Sequence, residues 1–435
     1  YEKMKKILFI FNLIIFNAQY ALSTSLNEAL LLAYKNNKEL NAERENINVS
    51  KQDLKISRSN YLPTFTISGS KSNEETNKLT NQDGTNASIS DVNPLSKSIK
   101  IDQTLIDFGR GADYQKNKSG IILAEAKLLK KEQDILYKAI EAFTGLILAN
   151  EKKIINERNV NLLERQVETD SIRLDKGEIS LADLAQSESS LAGAKANFIQ
   201  SQNEVITNKL NYENVIGPLQ QINSLKKSSN GFVNIPDSLT SAVDLSKVNN
   251  PDLIIAKIEY EQSEQDVQIA RSDLTPTASL SFERTHSEDL SSTYNEREKD
   301  VLKATVSWPF YTGGKNIATL NKNKNLKTRK RLLYDYAIKN NETNVASAWS
   351  SLQSSKSLLA SVRSQVEAAE IANEGITGEY ESGLGKRSTL DVIQSNSLLL
   401  NAQISLANSE RNYLLSQFNL LKSIGLLHSD YLKLR

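Results

Sequence analysis

Apolar and polar side chains alternate along four short segments of the chain, which fall into two pairs. The segments are Thr64–Ser68, Ile99–Leu105, Thr277–Phe282 and Leu302–Trp308. Strict alternation is typical of a β-strand that has one dry face and one wet face. Each pair brackets a polar stretch, Asn73–Asn93 in the first and Ser287–Lys299 in the second. We therefore predict two β-hairpins with polar loops.

One face of each predicted hairpin is apolar and the other is polar. The apolar positions expected to face lipid are Phe65, Ile67, Ile99, Ile101, Leu280, Phe282, Val306 and Trp308. The polar positions include Thr64, Lys100, Asp102, Ser281 and Lys303. Strands that are dry outside and wet inside are typical of transmembrane barrels around an aqueous lumen. Four strands cannot enclose such a lumen, and lipid does not tolerate open strand edges, so several chains would share one barrel. A pair of soluble hairpins lying on a helical bundle is the alternative.

Helical spacing replaces this alternation in two long tracts without proline. The first runs from about Tyr114 to Asp175 and breaks at Gly177. Its apolar positions, spaced by sevens, fours and threes, include Leu128, Ile135, Ala139, Phe143 and Leu146. Such spacing indicates one apolar side of a helix. An interior proline would cost about 3 kcal/mol, so its absence permits a long continuous helix.

The second tract runs from about Ile317 to Tyr380 and breaks at Gly383 and Gly385. Each tract has about 60 residues, or roughly 90 Å of continuous helix. After each break a returning helix is predicted, at Leu181–Val215 and at Leu390–Ile424. Helices of this length need helical neighbours along their whole length, which indicates a coiled-coil-like assembly.

The chain contains an internal duplication. Asn36–Thr64 and Asn249–Thr277 align without a gap and are identical at 11 of 29 positions. A repeat of this length indicates two copies of one structural unit. We predict a first repeat at residues 24–217, a linker at 218–247, a second repeat at 248–425 and a C-terminal tail at 426–435.

Charge and composition exclude several functional classes. The net charge of +1 provides no large basic surface for nucleic acid. The chain has no cysteine, which excludes disulfides and thiolate metal sites. The two histidines, His286 and His428, are isolated in the sequence and are interpreted as ordinary loop or helix-end residues. We predict no catalytic residues, no metal site and no cofactor.

The N-terminal region has the pattern of a secretory signal peptide. Met4-Lys5-Lys6 is basic, Ile7–Phe16 is apolar, and Ala21-Leu22-Ser23 provides a small-x-small cleavage motif. The apolar run is about half of the roughly 20 residues that a membrane-spanning helix needs. We therefore expect residues 1–23 to be removed and the mature chain to start near Thr24.

The duplicated order of helix, hairpin, long helix, glycine turn and returning helix resembles the TolC family of outer-membrane efflux channels. The residues that carry this resemblance are the pair QDLKISRSNYLPT and QDVQIARSDLTPT, the corners QTLIDFGR and WPFYTGGK, and the turns KGEISLADLAQSES and ESGLGKRSTLDVIQSNS. The resemblance implies a fold that is mainly α with a transmembrane β-barrel portion. It implies a homotrimer whose chains share a 12-stranded barrel in the outer membrane, with a helical tunnel in the periplasm.

The resemblance also implies partners and a role. Such channels dock to a periplasmic adaptor and an inner-membrane transporter, and they export drugs or proteins without altering them chemically. The segments near Gly217–Lys247 and the C-terminus would form an equatorial belt around the helices.

The resemblance places a periplasmic gate at the helix–turn–helix tips. By position, Arg387 would lie near Asp183 as a link between hairpins, and Asp391 would form a carboxylate ring at the narrowest point. Gln394 stands where the family has a second acidic ring, and Ser382 stands where it often has a tyrosine. The gate is therefore expected to be less acidic and to have fewer links. Asp183 and Asp391 are also common residue types at helix starts, so a capping role is the alternative.

Three other functional classes remain open on sequence grounds. A periplasmic adaptor would need a domain of many short strands, and this sequence predicts strands only in two hairpins. A structural coiled-coil surface protein would show uninterrupted heptads without amphipathic strands. An enzyme would need a catalytic constellation, and the sequence has neither a His/Cys cluster nor a glycine-rich phosphate loop.

Overall fold

The computed structural model describes residues 25–78, 80–85, 91–219, 221–222, 225–227, 234–291, 294–382 and 387–434. The predicted signal peptide and cleavage site lie outside these ranges, as do parts of the predicted linker. The described chain forms two compact units. The first contains the stretch up to Arg44, then Lys127–Leu253 and the stretch from Ile338 onward. The second contains Glu45–Ala126 and Ile254–Ala337.

The described residues form eight α-helices and four β-strands. In chain order these are α1 Leu26–Asn36, α2 Lys38–Ser59, β1 Thr64–Lys71, β2 Leu95–Ile106, α3 Arg110–Asp175, α4 Leu181–Val215, α5 Leu239–Asn249, α6 Pro251–Ser272, β3 Thr277–Ser291, β4 Tyr294–Ser307, α7 Lys315–Ser382 and α8 Thr389–Ile424. The two predicted long helices are confirmed as α3, with 66 residues, and α7, with 68. The predicted returning helices are confirmed as α4 and α8.

The internal duplication extends through all of these elements. Helices α1 and α2 have 11 and 22 residues, and so do α5 and α6. Strands β1 and β3 begin at equivalent threonines, Thr64 and Thr277. Helix α5, Leu239–Asn249, lies mostly within the stretch predicted as a linker, and it has the same position before α6 that α1 has before α2. The repeated sequence also continues into these helices, since α1 and α5 are identical at 4 of 11 positions when they are aligned without a gap.

The second unit contains one antiparallel sheet with the strand order β1-β2-β3-β4. Towards the end of the sheet from which the helices leave, two adjacent rows align residues of like character across all four strands. Phe65, Ile101, Phe282 and Leu302 form one row, and Thr64, Asp102, Ser281 and Lys303 form the adjacent row on the other face. The predicted apolar positions within the strands therefore share one face, and the predicted polar positions share the opposite face. Trp308 lies one residue beyond β4.

The second hairpin is longer than the sequence predicted. The stretch Ser287–Lys299 was predicted to be a loop, but β3 continues to Ser291 and β4 starts at Tyr294. Most side chains of this stretch are polar, so the sequence shows no alternation there. The two strands nevertheless pair, and opposite charges across them support the pairing. Arg284 lies 3.6 Å from Glu298 and 3.6 Å from Asp300 on the neighbouring strand. His286 is consequently a strand residue and not a loop residue.

The main hydrophobic core of the first unit lies between α1, α3, α4 and α8. Its largest fully buried side chains include Leu30, Ile140, Phe143, Tyr212 and Phe418. The predicted C-terminal tail packs against this core through Leu427 and Leu434. The described part of the predicted linker is also attached to these helices. The Lys227 ammonium lies 2.6 Å from both Glu151 of α3 and Glu410 of α8. The first unit therefore has one hydrophobic core that includes parts of α1, α3, α4 and α8.

Helix α8 ends at a position that requires glycine. Gly425 has a φ of 93°, in the left-handed region, and its N–H donates to Leu421 O. A Cβ at this position would lie 2.2 Å from Asn249 O, at the junction of α5 and α6. The next residue, Asn250, donates to Ser423 O and to Asn341 Oδ1. The end of α8 therefore fits tightly against the start of the second repeat.

Candidate functional site: the helix–turn–helix tips

The first tip joins α3 to α4. Gly177 has a φ of 72°, a left-handed conformation that favours glycine. Its N–H and that of Glu178 donate to carbonyl groups in the last turn of α3, which satisfies acceptors at the helix end. Ser180 then caps α4, which starts at Leu181. The predicted break at Gly177 is therefore confirmed.

The second tip joins α7 to α8. Helix α7 ends at Ser382 and α8 begins at Thr389, with Ser388 as its cap. The predicted break at Gly383 and Gly385 falls in residues 383–386, which lie outside the described part of the chain. The cap of α8 has the same geometry as the cap of α4, as expected for equivalent positions of the repeat.

Two of the predicted gate residues belong to these caps. The Ser180 hydroxyl and N–H donate to Asp183 Oδ2 over 2.7 and 3.0 Å, and the Asp183 N–H donates back to Ser180 Oγ. Asp391 Oδ2 accepts in the same way from the Ser388 hydroxyl over 3.0 Å and from the Ser388 N–H over 2.9 Å. The hydrogen bond from the Ser180 side chain is the main cause that lowers the pKa of Asp183, and the backbone bond from Ser388 does the same for the pKa of Asp391. Both carboxylates therefore have the capping role named as the alternative. A gate role in addition remains a prediction.

Arg387 pairs within its own hairpin. Its Nε donates to Glu379 Oε2 over 2.7 Å, and this bond raises the pKa of the guanidinium. The described contacts of Arg387 and Asp183 are both with residues of their own hairpins, so they do not join these two predicted gate residues to each other. Gln394 is exposed on α8, about one turn after Asp391. All four residues thus lie near the helix ends that form the tips, Arg387 and Gln394 exposed and Asp183 and Asp391 half-buried.

The two hairpins of the chain are joined instead by a buried group that the sequence reasoning missed. Asp170 of α3 is fully buried. Its Oδ1 accepts from Tyr380 Oη of α7 over 2.6 Å and from Gln166 Nε2 over 2.9 Å, while its Oδ2 accepts from Ser187 Oγ of α4 over 2.5 Å. Tyr380 Oη also lies 3.0 Å from Thr389 Oγ1 of α8. All four helices of the two tips therefore contribute to this group, which we name the Asp170 cluster: Gln166, Asp170, Ser187, Tyr380 and Thr389.

A signal for this cluster exists in the sequence. Asp170 follows the buried Leu163 by seven residues, so it falls on the apolar side of α3. A charged residue at such a position is almost never buried without a partner. That spacing could have identified Asp170 as a buried acceptor, although it could not have named Tyr380 as the donor.

The corners where strands meet the long helices carry exposed aromatic side chains. Phe108, Trp308, Phe310 and Tyr311 are all exposed, Phe310 and Tyr311 by 84% each. The rings of Trp308 and Phe310 lie edge to face, with centroids 5.8 Å apart, and Trp308 Nε1 donates to Leu274 O. The sheet therefore has an apolar face and, at the end from which the helices leave, a group of exposed aromatic side chains.

Three His and Glu side chains on β3 and β4 lie close enough together to be compared with a metal site. Ligand atoms of His286, Glu296 and Glu298 lie within 4.8 Å of one another. The two carboxylates are exposed, and Glu298 already lies 3.6 Å from the Arg284 guanidinium. Because the protein supplies its own cation here, the geometry gives no reason to assign a metal.

A family model described as outer membrane efflux protein matches residues 29–217 and 242–426. The chain belongs to the outer membrane efflux protein family. Within the described helices, no stretch combines the length and the apolar character needed to cross a bilayer.

Proteins related to this chain along most of its length carry matching names. The outer membrane efflux protein BepC of Brucella suis is 26% identical over 97% of this chain and 90% of its own. The proteases secretion protein PrtF of Dickeya chrysanthemi is 22% identical over 94% of this chain and 90% of its own. Among solved structures, the CmeC outer membrane channel of Campylobacter jejuni superposes with a TM-score of 0.79 over 92% of this chain and 85% of that one, at 17% identity.

Membership of this family establishes the functional class. The protein is an outer-membrane channel for efflux or secretion, and its relatives are channel proteins and not enzymes. The resemblance noted from the sequence is confirmed. The likeness to CmeC shows that the helical architecture is that of outer-membrane channels.

Proposed function

We propose that three copies of this chain form one outer-membrane channel, with a shared barrel of 12 strands and a helical tunnel in the periplasm. The sheet carries this proposal. It has one apolar and one polar face, and its edge strands, β1 and β4, are on opposite sides. Unpaired backbone groups on an edge strand cost several kcal/mol each in lipid. Pairing β4 of one chain with β1 of the next removes both edges and creates a lumen lined by the polar face.

The proposed direction of the channel rests on the difference between the two ends of the hairpins. Aromatic side chains with a polar group favour the boundary between lipid and water, and barrels carry them at both ends of the apolar band. Trp308 and Tyr311 lie at the end of the sheet where the helices begin. On the apolar face, the opposite end of the hairpins carries charged side chains such as Lys97, Arg284 and Asp300. The helices would therefore extend on the periplasmic side, and the charged hairpin ends would face outward.

The helical tips would form the periplasmic gate. In a trimer, Asp391 would occur three times around the axis and would make a ring of carboxylates. Such a ring favours cations and is blocked by polyvalent ones. Arg387 and Asp183, which contact their own hairpins in the single chain, would exchange these contacts for links to a neighbouring chain. Gln394, one turn on, would add a neutral ring.

The channel would serve as the passive exit duct of an efflux or type I secretion system. BepC is named for efflux and PrtF for protease secretion, so cargo of either class, drugs or proteins, is compatible with this family. The partners would be a periplasmic adaptor, which opens the tips, and an inner-membrane transporter, which supplies the energy. The chain itself would perform no chemistry on the cargo and would need no cofactor.

The test is to isolate the protein from outer membranes and compare heated with unheated samples on a denaturing gel. A shared barrel predicts a heat-sensitive band of three chains, and planar bilayers containing it should show discrete conductance steps. A periplasmic adaptor or a structural coiled-coil protein would be recovered without detergent and would give no conductance. A water-soluble monomer would refute the proposal.

A further inference from the structure

We propose that the outward half of the barrel lumen is an anion-binding section, formed by Arg297 and Lys299 of each chain among serine and threonine side chains. It would attract cargo that carries phosphate or carboxylate groups. This inference rests on the proposed function, because it requires the polar face of the sheet to line a lumen. It adds a preference for the charge of the cargo, and this preference has the opposite sign to that of the proposed Asp391 ring.

Charge alternates strictly along the first part of β4. The stretch Glu296–Asp300 reads EREKD. Successive side chains of a strand point to opposite faces, so the three carboxylates share one face and the two cations share the other. The pairing with β3 places Lys299 opposite Thr285 and Arg297 opposite Ser287, on the polar face of the sheet, where both cations are exposed. Two cations of each chain are therefore directed into the proposed lumen.

The other three strands of the sheet supply no opposite charge in these two rows. The partners are serine or threonine throughout: Thr285, Ser98 and Ser68 in the row of Lys299, and Ser287, Ser96 and Ser70 in the row of Arg297. Hydroxyl groups can donate to an anion, but they do not neutralise a cation. The two rows are about 7 Å apart along the strand, which is the length of two residues. In a trimer they would make two closely spaced rings of three cations each.

Strand β1 of the neighbouring chain also contributes only hydroxyl groups. In the proposed barrel it pairs with β4, and its residues on the polar face are Thr64, Thr66, Ser68 and Ser70. A register that keeps this face toward the lumen can shift only in steps of two residues. Every β1 residue that could lie beside the two cations is therefore uncharged.

Nearer the helices the polar face is balanced in charge. Each of two rows holds one carboxylate and one cation: Asp102 with Lys303, and Glu283 with Lys100. Lys100 also lies 3.0 Å from Asp102. Glu283 and Lys299 occupy diagonal positions on adjacent strands, but they form no ion pair with each other. The excess of positive charge therefore belongs to the outward half of the polar face.

The two cations of this half differ from a cation at the same level on the opposite face. There the Arg284 guanidinium lies 3.6 Å from both Glu298 and Asp300. By contrast, neither Arg297 nor Lys299 forms an ion pair with a residue that the structure describes. Their charge is therefore available to a ligand in the lumen.

The loop that follows β1 carries the next carboxylate. Its backbone pairs at Glu74 with Val92, past the end of the strand. The Glu74 carboxylate accepts a hydrogen bond from Ser72 Oγ over 3.0 Å, so it has a local donor. Glu74 of a neighbouring chain is the carboxylate against which the inference has to be tested.

The test is block of the channel by a polyanion in planar bilayers. Inositol hexakisphosphate is added to each side of the bilayer in turn. The matched control compound is myo-inositol, which has the same ring without the charge. The concentration that halves the conductance is measured at low and at high KCl.

The variants use neighbouring residues of one strand. Arg297→Gln combined with Lys299→Gln removes both cations from the polar face. Glu296→Gln combined with Glu298→Gln is the matched control, because it removes two charges from the opposite face of the same strand. All four side chains are exposed, so both double variants should form the heat-sensitive oligomer, which is checked first. Lys299→Gln alone serves if the first double variant does not assemble.

The inference predicts that inositol hexakisphosphate blocks the unmodified channel and that myo-inositol does not. The half-blocking concentration should rise about tenfold when both cations are replaced, within the range by which charged clefts concentrate counter-ions. It should stay unchanged in the control variant. High KCl should weaken the block of the unmodified channel, because salt screens exposed charges.

Equal block of the unmodified channel and of the variant without the two cations would overturn the inference and leave the proposed function intact. Block that appears only after Glu74→Gln would also overturn it, since the neighbouring chain would then neutralise the rings. If the unmodified protein gives no conductance, the proposed function fails, and the inference fails with it.

Discussion

Phe65 allows the membrane interpretation of the sheet to be tested at a single side chain. It lies on β1, in the row that continues through Ile101, Phe282 and Leu302, so it is placed within the apolar band. In the isolated chain its side chain is 70% exposed. If that face met water, Phe65→Lys would change stability by less than about 0.5 kcal/mol, as exposed substitutions usually do.

In a lipid-facing band the same substitution has a large cost. A lysine destabilises a barrel by about 2–4 kcal/mol at the bilayer midplane and by less towards either boundary, so three chains in one barrel give up to about 12 kcal/mol. The matched control is Thr64→Lys, whose side chain is on the opposite face and pairs across the strands with Asp102. There a lysine would face the aqueous lumen beside a carboxylate and should be tolerated.

The assay is urea-induced unfolding of the protein reconstituted in lipid vesicles, followed by loss of the heat-sensitive oligomer on gels. Phe65→Lys should unfold at a much lower urea concentration than the unmodified protein or should fail to assemble, while Thr64→Lys should behave like the unmodified protein. Equal stability of the two lysine variants would refute the assignment of the apolar face to lipid.

Three further predictions concern the first unit. Arg387→Ser or Asp183→Ala should raise the conductance of the closed channel, and unchanged conductance in both would show that the gate is elsewhere. Gly425→Ala should lower the melting temperature, because a left-handed residue with a Cβ costs about 1–2 kcal/mol before the clash with Asn249 O is included. The pKa of the Asp183 carboxyl group is lowered in the folded chain. Its contribution to the stability of the α4 N-terminus is therefore fully present above the ordinary pKa of 3.8, and it is lost as the pH falls through the lower pKa of the folded chain. Amide exchange at the start of α4, corrected for intrinsic rates, should therefore remain slow at about pH 5 and accelerate only below about pH 4, and Asp183→Ala should remove this pH dependence.

The elements that could be predicted from the sequence are those with a clear period of hydrophobic positions. The alternation in Thr277–Phe282 is short but continues a repeated pattern, and the long helices extend over proline-free tracts, so both were correctly predicted. The polar extension of the second hairpin was missed because charged side chains on a strand look like a loop until their partners are known. Arg284 and Asp300 are such partners, and they become neighbours only through the strand register.

The contacts at the helical tips could be predicted only in part, because some of them join residues that are far apart in the sequence. Helical spacing indicates which side of α3 is buried, but it does not indicate which helix covers that side. Asp170 and Tyr380 are separated by 210 positions in the sequence and meet through tertiary packing alone. The caps that contain Asp183 and Asp391 are local features, so the residue types at these helix starts suffice to predict a capping role.

The central claim, that edge strands of different chains pair in one barrel, is tested most directly by disulfide cross-linking. The chain has no cysteine, so cysteine at Thr66 of β1 can be combined in turn with cysteine at Val301, Lys303 or Thr305 of β4. Within one sheet β1 and β4 are three strand spacings apart, about 14 Å, which is beyond the reach of a disulfide. A shared barrel predicts that at least one combination gives covalent dimers and trimers that disappear on reduction. If every combination yields only single chains, while the protein is folded in the membrane, the barrel is not shared.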